Sequence, residues 1–379
     1  MSEVVGVLAL VSDDWAVAPQ RRHQILSRLA AHFPVAWISP ALHWSERFTH
    51  PAVERVASAR PMLILDSRIG FPRIDHPRFV RSALYRRRVS HGVGWLRQQG
   101  CTRIELQIWN PEFAEAIEWV QASTSYHIDD EFSWATERRP MSAAERSLIA
   151  RVDRVYVTSP GLLESKGGIN ANTVFSSNGV DYRAFSEPTT EPEDLTRIPH
   201  PRVGYVGVIK EQIDLELLAA LAANHASWSF VVVGPVRTVH TSLPGPLDRL
   251  TQLPNVHLLG ERAAALLPAY LQHIDVALLP YRRNAYTDCI NPMKLYEALA
   301  AGTPVVGSRI RTLEQFSSVV QLADDEHEWE SVILAALDGG PEKQRDERRA
   351  VARDYDWDSI TAPIADAIAR RWSGPAAHA

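Results

Sequence analysis

Short apolar runs alternate with helix-like segments through the first half of the chain. The apolar runs lack the polar alternation of a half-exposed strand, which is typical of strands buried on both faces of a sheet. The segments between them repeat apolar side chains at three-to-four spacing, as amphipathic helices do. This βα order predicts a mostly parallel sheet covered by helices. The predicted strands are residues 4–11, 35–39, 62–65, 103–109 and 154–159, and the clearest helices are residues 21–32 and 111–120.

A segment rich in proline and acidic residues, residues 186–201, interrupts this pattern. Because it has few large apolar side chains, it is predicted to be a linker between domains. The alternation then starts again, with predicted strands at residues 202–207, 228–234, 255–260, 275–280 and 303–308. We therefore expect an α/β protein with two doubly wound, Rossmann-like domains, residues 1–185 and 202–360, facing each other across a cleft. Residues 361–379 are expected to form a helix and tail that packs back on the first domain.

The composition agrees with a two-domain globular protein. A length of 379 residues exceeds what one hydrophobic core usually organises. No apolar run reaches the roughly 18 residues of a membrane-spanning helix, and the amino terminus lacks the layout of a signal peptide. The two cysteines, Cys101 and Cys289, fall in different predicted domains, which argues against a disulfide framework or a zinc cluster. We expect a soluble protein of a reducing, cytoplasmic compartment.

Basic residues are concentrated in one part of a chain whose formal net charge is −5. Residues 68–97 hold eight arginines, one acidic residue and four aromatic residues. This composition suits peripheral attachment to an anionic membrane surface, at the inner face of the membrane, and a solvated arginine-rich helix face is the alternative. Nucleic acid is not an expected partner, because the whole chain is acidic and carries no recognition motif.

The segment NPMKLYEALAAGTPVV, residues 291–306, predicts a binding site for a diphosphate group. A loop that opens a helix exposes unpaired N–H groups beside the positive end of the helix dipole. Pro292 suits the beginning of this helix, and Lys294 adds a point charge one turn before Glu297. An ion pair at the surface between Lys294 and Glu297 is the alternative interpretation of the same spacing.

Several stretches in order resemble the retaining GT-B glycosyltransferases of family four, especially the bacterial members that assemble polysaccharides. The resemblance is strongest at residues 291–306 and extends to residues 176–185, 202–218 and 275–282, with weaker similarity at residues 19–40 and 126–132. It implies transfer of a sugar from a nucleoside diphosphate, most simply a UDP-sugar, to a hydroxyl acceptor with retention of configuration and without a metal ion or cofactor. The resemblance leaves the acceptor open among a glycan, a lipid-linked molecule and a small molecule.

The resemblance also implies roles for residues of both domains. Glu297 is expected to accept hydrogen bonds from the ribose hydroxyls, Lys294 to stabilise the departing diphosphate, His127 to contact the transferred sugar, and Asp130 to orient or deprotonate the acceptor hydroxyl. A structural histidine and a helix-capping aspartate are the alternative interpretations of the last two. The predicted nucleotide-binding residues are Gly207, Lys210, Asn291, Pro292, Met293, Lys294 and Glu297.

The sequence departs from the family pattern at two places. In the family, the loop after the strand at residues 202–207 often carries an arginine and a lysine near the phosphates. Here Val208 follows Gly207, and Asp214 stands about where the second of these cations is expected. Lys210 is the expected substitute, and Arg282 and Arg283 are further candidates. The family has a pair of acidic residues with seven residues between them. Here Cys289 occupies the first of these positions, eight residues before Glu297, which weakens inferences about the identity of the sugar.

Two other segments bear on the chemistry. Arg21, Arg22 and His23 begin a predicted helix and are candidates for contact with a phosphate or lipid diphosphate. The Asp354-Tyr355-Asp356 sequence has the form of a metal-binding DxD motif, but it follows an arginine-rich helical stretch instead of a buried strand, so we exclude that role. A sugar-nucleotide-binding partner without catalytic activity and a GT-B epimerase are the alternative functions.

Overall fold

The computed structural model describes residues 3–17, 19–45, 62–74, 76–131, 141–237, 244–339 and 342–373. The chain divides into two compact units. The first unit comprises Met1–Ser176 together with Asp358–Ala379, and the second comprises Ser177–Trp357.

The first unit is built around a seven-stranded parallel sheet in the order β3-β2-β1-β4-β5-β6-β7. Strands β1, β2 and β5 are buried along their whole length, which agrees with the unbroken apolar runs of a sheet covered on both faces. Its strands are β1 (Val5–Leu10), β2 (Val35–Ile38), β3 (Met62–Leu65), β4 (Arg103–Ile108), β5 (Ser123–Ile128), β6 (Arg154–Val157) and β7 (Thr173–Phe175). Its helices are α1 (Arg21–Leu29), α2 (Arg78–Gln98), α3 (Ala143–Arg151) and α4 (Pro160–Lys166), with 3-10 helices at Pro111–Glu118 and Gly167–Ile169.

The second unit repeats this architecture with a six-stranded parallel sheet in the order β10-β9-β8-β11-β12-β13. Its strands are β8 (Arg202–Val206), β9 (Ser229–Val233), β10 (Val256–Gly260), β11 (Val276–Leu279), β12 (Val305–Ser308) and β13 (Val320–Ala323). Its helices are α5 (Tyr182–Ser186), α6 (Glu193–Thr196), α7 (Leu215–Asn224), α8 (Pro244–Thr251), α9 (Leu267–Gln272), α10 (Met293–Ala301), α11 (Arg311–Glu314), α12 (Glu326–Gly339) and α13 (Arg345–Asp354), with 3-10 helices at Ala264–Leu266 and Thr287–Cys289. The two doubly wound, Rossmann-like units confirm the predicted fold class.

The segment predicted as a linker, residues 186–201, lies inside the second unit. Leu195 and Ile198 are buried in the hydrophobic core of that unit, and the buried Arg202 donates a hydrogen bond to the carbonyl of Ile198 at 2.7 Å. The few apolar residues of the segment therefore anchor it, and the change of unit falls between residues 176 and 177.

The final helix, α14 (Trp357–Ser373), belongs almost entirely to the first unit. Arg371 pairs with Asp153 at 2.9 Å, and Asp358 accepts a hydrogen bond from Arg28 of α1 at 2.5 Å. These contacts fix both ends of the helix to the first unit. Among the described residues, no helix combines the length and the apolar character that crossing a membrane requires.

Helix α2 holds most of the predicted basic segment, and its arginines have two different roles. Arg88 is buried and donates hydrogen bonds to the backbone carbonyls of Ser39, Leu65, Asp66 and Ile69. Burial lowers the pKa of its guanidinium to about 10. Arg86 and Arg87 are exposed. Arg88 is therefore a structural residue, and only its neighbours remain available to an external surface.

Replacing Arg88 with methionine is expected to lower the free energy of unfolding by about 3 kcal/mol, because several buried carbonyls lose a charged donor at once. The matched control is Arg87→Met, which removes an exposed arginine from the same helix and is expected to change stability by less than about 0.5 kcal/mol. Denaturant titration followed by circular dichroism measures both. Equal stability of the two variants would contradict the role of Arg88.

Candidate functional site

Two loops lie side by side at the carboxyl edge of the second sheet. One follows β8, at residues 207–214, and the other follows β11, at residues 280–292. The backbone N–H of Asp214 donates to the carbonyl of Pro280 at 2.7 Å, and that of Arg282 donates to the carbonyl of Gln212 at 2.8 Å. In open parallel sheets this edge is where ligands bind.

Helix α10 begins directly after the second loop. Pro292 precedes it with an extended backbone, and no side chain caps the first turn. The first turn of a helix presents N–H groups and the positive end of the dipole, so an uncapped start favours an anion. The helix ends at Gly302, whose φ of 83° is the left-handed conformation that glycine adopts without strain.

Lys294 and Glu297 form an ion pair on the first turns of α10. Lys294 Nζ lies 2.9 Å from Glu297 Oε2, and their side chains are 23% and 12% exposed. Both groups are therefore accessible at the edge of the sheet while most of each side chain is covered. A partly buried pair of this kind is held more rigidly than the flexible surface pairs that contribute little.

The loop after β8 approaches Lys294 through a glycine. A Cβ placed on Gly207 would lie 3.1 Å from Lys294 Cε and 2.8 Å from the Tyr205 hydroxyl oxygen. Gly234, at the end of β9, has a φ of 145°, and a Cβ there would lie 2.0 Å from the carbonyl oxygen of Gly207. The backbone conformation and the close contact require glycine at position 234, and the backbone of the loop at Gly207 lies against the alkyl chain of Lys294.

Two buried tyrosines form the floor beneath the ion pair. Burial raises the pKa of the Tyr205 hydroxyl, and the carboxylate of Glu297 raises it further. Burial also raises the pKa of the Tyr281 hydroxyl, and the nearby Tyr205 and Glu297 raise it further. The Tyr205 hydroxyl donates to the carbonyl of Val208 at 3.0 Å, so it remains a neutral donor that fixes the loop. Neither tyrosine was predicted to lie at the site, since a buried tyrosine in a strand or just after one carries no distinct signal in the sequence.

Asn291 takes part in a hydrogen-bond network inside the second unit. Its side chain donates to the Ser177 hydroxyl at 3.0 Å and accepts from the Tyr296 hydroxyl at 2.9 Å. Its backbone carbonyl accepts from Asn178 at 2.6 Å. The closed network directs the amide into the protein and holds the loop before α10. Pro292 is buried and Met293 is half-buried at the same turn.

The other predicted cations of this edge differ in their availability. Lys210 is exposed in the loop after β8, and no carboxylate pairs with it in the described part of the chain. Arg282 is half-buried, and its Nε is enclosed without a hydrogen-bond partner among the described residues. Arg283 pairs with Asp324 at 2.6 Å. Asp214 caps α7 by accepting from the N–H of Leu217, so it belongs to the scaffold.

His127 lies in the interior of the first unit, and its contact with a sugar stays a prediction. The ring is 0% exposed and is stacked between Trp109, at 3.9 Å, and Tyr156, at 4.6 Å. Burial, reinforced by Arg21, lowers the pKa of the ring well below its ordinary value, so the imidazole is neutral. Sequence position alone could not decide whether this residue ends a strand at the surface or within the core.

The acidic segment after β5 is compensated by buried cations. Asp129 accepts from Arg22 at 3.0 Å, and Lys166 lies 2.9 Å from Glu131. Two of the three consecutive acids, Asp129 and Glu131, thus have cationic partners. Asp130 remains half-buried at the carboxyl edge, where its side chain accepts from the backbone N–H of Glu131 at 2.8 Å.

The candidates at the start of α1 are also internal. Arg22 bridges Asp129 and Asp13, and Arg21 donates to the Ser176 hydroxyl at 2.7 Å. Burial and the neighbouring Arg22 lower the pKa of His23 to about 4. These residues hold the loop after β1 to the rest of the unit, and their contact with a phosphate stays a prediction.

No group of three histidine, cysteine, aspartate or glutamate residues that could hold a metal ion occurs in the described ranges. Asp356, of the sequence that has the form of a DxD motif, accepts from the backbone N–H of Tyr182 at 3.0 Å. This contact gives Asp356 a role within the second unit.

Comparisons with known proteins agree with the architecture of both units. The family described as glycosyl transferases group 1 matches residues 200–338. A protein of Bacillus subtilis strain 168, assigned to teichuronic acid biosynthesis as the glycosyltransferase TuaH, is 28% identical over 242 residues, which cover 60% of this chain and 59% of that protein. The match therefore spans less than two thirds of this relative.

Solved structures extend the likeness to nearly the whole chain. Anabaena HepE, in complex with UDP and glucose, superposes with a TM-score of 0.72 at 14% identity and covers 97% of this chain and 100% of its own. An α,α-trehalose-phosphate synthase (UDP-forming) from Burkholderia xenovorans has a TM-score of 0.64 at 12% identity, and the match covers 98% of this chain and 100% of that protein. The two Rossmann-like units thus have the GT-B fold.

Proposed function

We propose that this chain is a GT-B glycosyltransferase that moves a sugar from a nucleoside diphosphate to a hydroxyl of a glycan acceptor; its residues 200–338 match the family described as glycosyl transferases group 1. The observation that carries the proposal is the Lys294–Glu297 pair at the uncapped start of α10, packed on the loop at Gly207. It presents a cation, a carboxylate and backbone donors within one helical turn.

The two charges of this pair suit the two halves of a nucleoside diphosphate. A carboxylate accepts hydrogen bonds from vicinal ribose hydroxyls, and an ammonium group donates to phosphate oxygens. Glu297 is assigned to the ribose and Lys294 to the diphosphate. In the structure each group holds the other in place, so the ligand meets side chains that are already ordered.

Arg282 is assigned to the second phosphate contact. The loop after β8 lacks the arginine that the resemblance leads one to expect, and its backbone is instead joined to that of Arg282 through Gln212. The enclosed, unpartnered Nε of Arg282 lies on the same edge as the exposed Lys210. A positive charge can therefore reach the diphosphate from the loop after β11 and from the loop after β8.

The donor is proposed to be a UDP-sugar. Support comes from one solved protein of the same fold, Anabaena HepE, whose three structures contain UDP, UDP with glucose, and UDP-glucose. No side chain of the described site identifies the base or the sugar. The acceptor is proposed to be a bacterial polysaccharide, on the basis of the partial likeness to a teichuronic acid glycosyltransferase.

Catalysis on this proposal is electrostatic. As the bond to the anomeric carbon breaks, charge develops on the leaving diphosphate, and the start of α10 with Lys294 and Arg282 stabilises it without a metal ion. The departing phosphate oxygen takes the proton of the acceptor hydroxyl on the face it leaves, which gives retention of configuration. Asp130 orients that hydroxyl.

A sugar-nucleotide-binding protein without turnover is the second candidate. The enclosure of His127 favours it, because one of the two predicted groups of the first unit is withdrawn from the substrate. Variants that separate binding from turnover distinguish the two functions.

Glu297→Gln is expected to weaken binding of UDP about 10- to 100-fold, since a charged acceptor of two hydrogen bonds is lost.

Lys294→Met is expected to lower kcat about 100-fold or more, with a smaller effect on UDP affinity, because charge on the diphosphate grows in the transition state. Isothermal titration calorimetry and UDP release from a panel of UDP-sugars, with glycan oligosaccharides as acceptors, measure these effects.

The matched control is Lys343→Met, which removes an exposed lysine of the same unit. Wild-type affinity of Glu297→Gln for UDP would rule out the ribose contact. Binding without UDP release from any donor and acceptor tested would favour the non-catalytic candidate.

Asp130→Asn and His127→Phe separate a catalytic role from a structural one in the first unit. We expect Asp130→Asn to lower kcat about 100-fold with UDP binding unchanged, because the acceptor loses its orienting carboxylate. His127→Phe preserves an aromatic ring between Trp109 and Tyr156 and is expected to keep kcat within about threefold. If His127→Phe lowered kcat about 100-fold and Asp130→Asn kept it within about threefold, in stably folded variants, His127 would be assigned to the sugar site.

A further inference from the structure

Three aromatic side chains are exposed in neighbouring segments of the first unit. Trp44, Phe71 and Phe79 are 57%, 58% and 73% exposed. The backbone N–H of Trp44 donates to the carbonyl of Arg73 at 3.2 Å, which places it beside the segment that contains Phe71. Phe79 begins α2 a few residues later. Large aromatic groups exposed together are uncommon on a soluble surface and indicate an interaction site.

Exposed arginines accompany these aromatic residues. The guanidinium of Arg87 lies 5.1 Å from the centre of the Phe71 ring. Arg86 and Arg87 follow Phe79 by two helical turns, so they lie on the same side of α2. Within the described part of the chain, neither arginine has a carboxylate partner. Their charges are therefore directed to solvent.

The two acidic groups next to α2 are engaged in hydrogen bonds. Glu115 accepts from the Ser82 hydroxyl at 2.6 Å, and Glu112 accepts from the Tyr85 hydroxyl at 3.3 Å. These contacts hold the helix against the 3-10 helix at Pro111–Glu118. Ser82 is three residues from Phe79 and four from Arg86, so the Glu115 carboxylate borders the side that carries them, whereas Arg87, which stacks on Phe71, lies on a different side of the helix from Ser82.

The scaffold beneath this surface is rigid. Arg88 joins α2 to the carbonyls at the ends of β2 and β3, and the Tyr85 ring stacks on Phe113 at 4.9 Å. The exposed side chains thus project from a fixed helix and loop. A surface that is already ordered loses little conformational freedom when it binds.

We propose that Trp44, Phe71, Phe79, Arg86 and Arg87, here called the arginine–aromatic face, bind an anionic phospholipid surface. Aromatic rings suit the boundary between headgroups and acyl chains, and arginines bind lipid phosphates with two parallel hydrogen bonds. The chain as a whole carries a net charge of −5. Attraction to a negative surface must therefore come from a local cluster, and this face supplies one.

The proposal is tested with vesicles of phosphatidylcholine containing 30% phosphatidylglycerol, compared with phosphatidylcholine alone, by co-sedimentation at 50 mM and 500 mM NaCl. The wild-type protein is expected to bind the anionic vesicles at low salt, to bind the neutral vesicles at least about tenfold less, and to dissociate at high salt. Failure to bind the anionic vesicles at low salt would overturn the proposal.

Two double variants divide the contributions of charge and aromatic contact. Arg86→Glu with Arg87→Glu is expected to reduce binding at least about tenfold, and Phe71→Ser with Phe79→Ser to reduce it about threefold or more. The control replaces Arg183 and Arg197, both more than four-fifths exposed in the second unit, with glutamate. Equal loss in this control would show general charge attraction and overturn the assignment of the face.

Thermal stability and UDP affinity are measured on the same variants. Both are expected to stay at the wild-type value, because the exposed residues lie outside the second unit and outside the contacts of Arg88. This readout keeps the result independent of the proposed sugar transfer: vesicle binding can fail while UDP binding persists, or the reverse. Loss of stability in both face variants would contradict their assignment to a free surface.

Discussion

The contact between the backbones of Gly207 and Gly234 is the constraint on which the site of the second unit depends. A Cβ on Gly234 would lie 2.0 Å from the carbonyl oxygen of Gly207, so no other residue fits without moving one of the two strands. The approach brings the loop after β8 against Lys294. Lys294 in turn pairs with Glu297, and the buried Tyr205 fixes the same loop through Val208. Packing of uncharged backbone thus determines where the two charged groups stand.

The first unit positions its carboxyl edge by another means. Buried cations hold its loops: Arg22 joins the segment after β5 to the loop after β1, Arg88 gathers carbonyls around the ends of β2 and β3, and Lys166 lies between Glu131 and Glu145. Removing one partner of such a contact leaves an uncompensated buried charge, which is costly. The arginines of this chain therefore include internal structural groups as well as surface groups, and composition alone does not separate them.

The strands and the two-unit architecture could be predicted from the sequence, because strands buried on both faces appear as unbroken apolar runs. The start of α10 could also be predicted, because the positions of Pro292, Lys294 and Glu297 follow helix-start and spacing rules that involve only neighbouring residues. Residues whose roles depend on distant contacts were not predictable. Asn291 is directed inward by Tyr296 of the same segment and by Ser177, which lies 114 residues earlier in the chain.

Burial of individual polar side chains was the other feature that the sequence could not predict. His127 is the fifth residue of β5, and the strand places its ring between Trp109 and Tyr156. The proline-rich segment at residues 186–201 resembled a linker because only Leu195 and Ile198 enter the core. One or two apolar residues suffice to anchor a segment, and their effect is visible only when the core that receives them is known.

We propose that a helix start and side-chain cations hold the nucleoside diphosphate in place of a metal ion. Calorimetric titration of the wild-type protein with UDP, in EDTA and separately in Mg²⁺ or Mn²⁺, checks this proposal. The dissociation constants are expected to agree within about threefold, because the charge that neutralises the diphosphate belongs to the protein. Binding that disappears in EDTA and returns with either metal ion would contradict it.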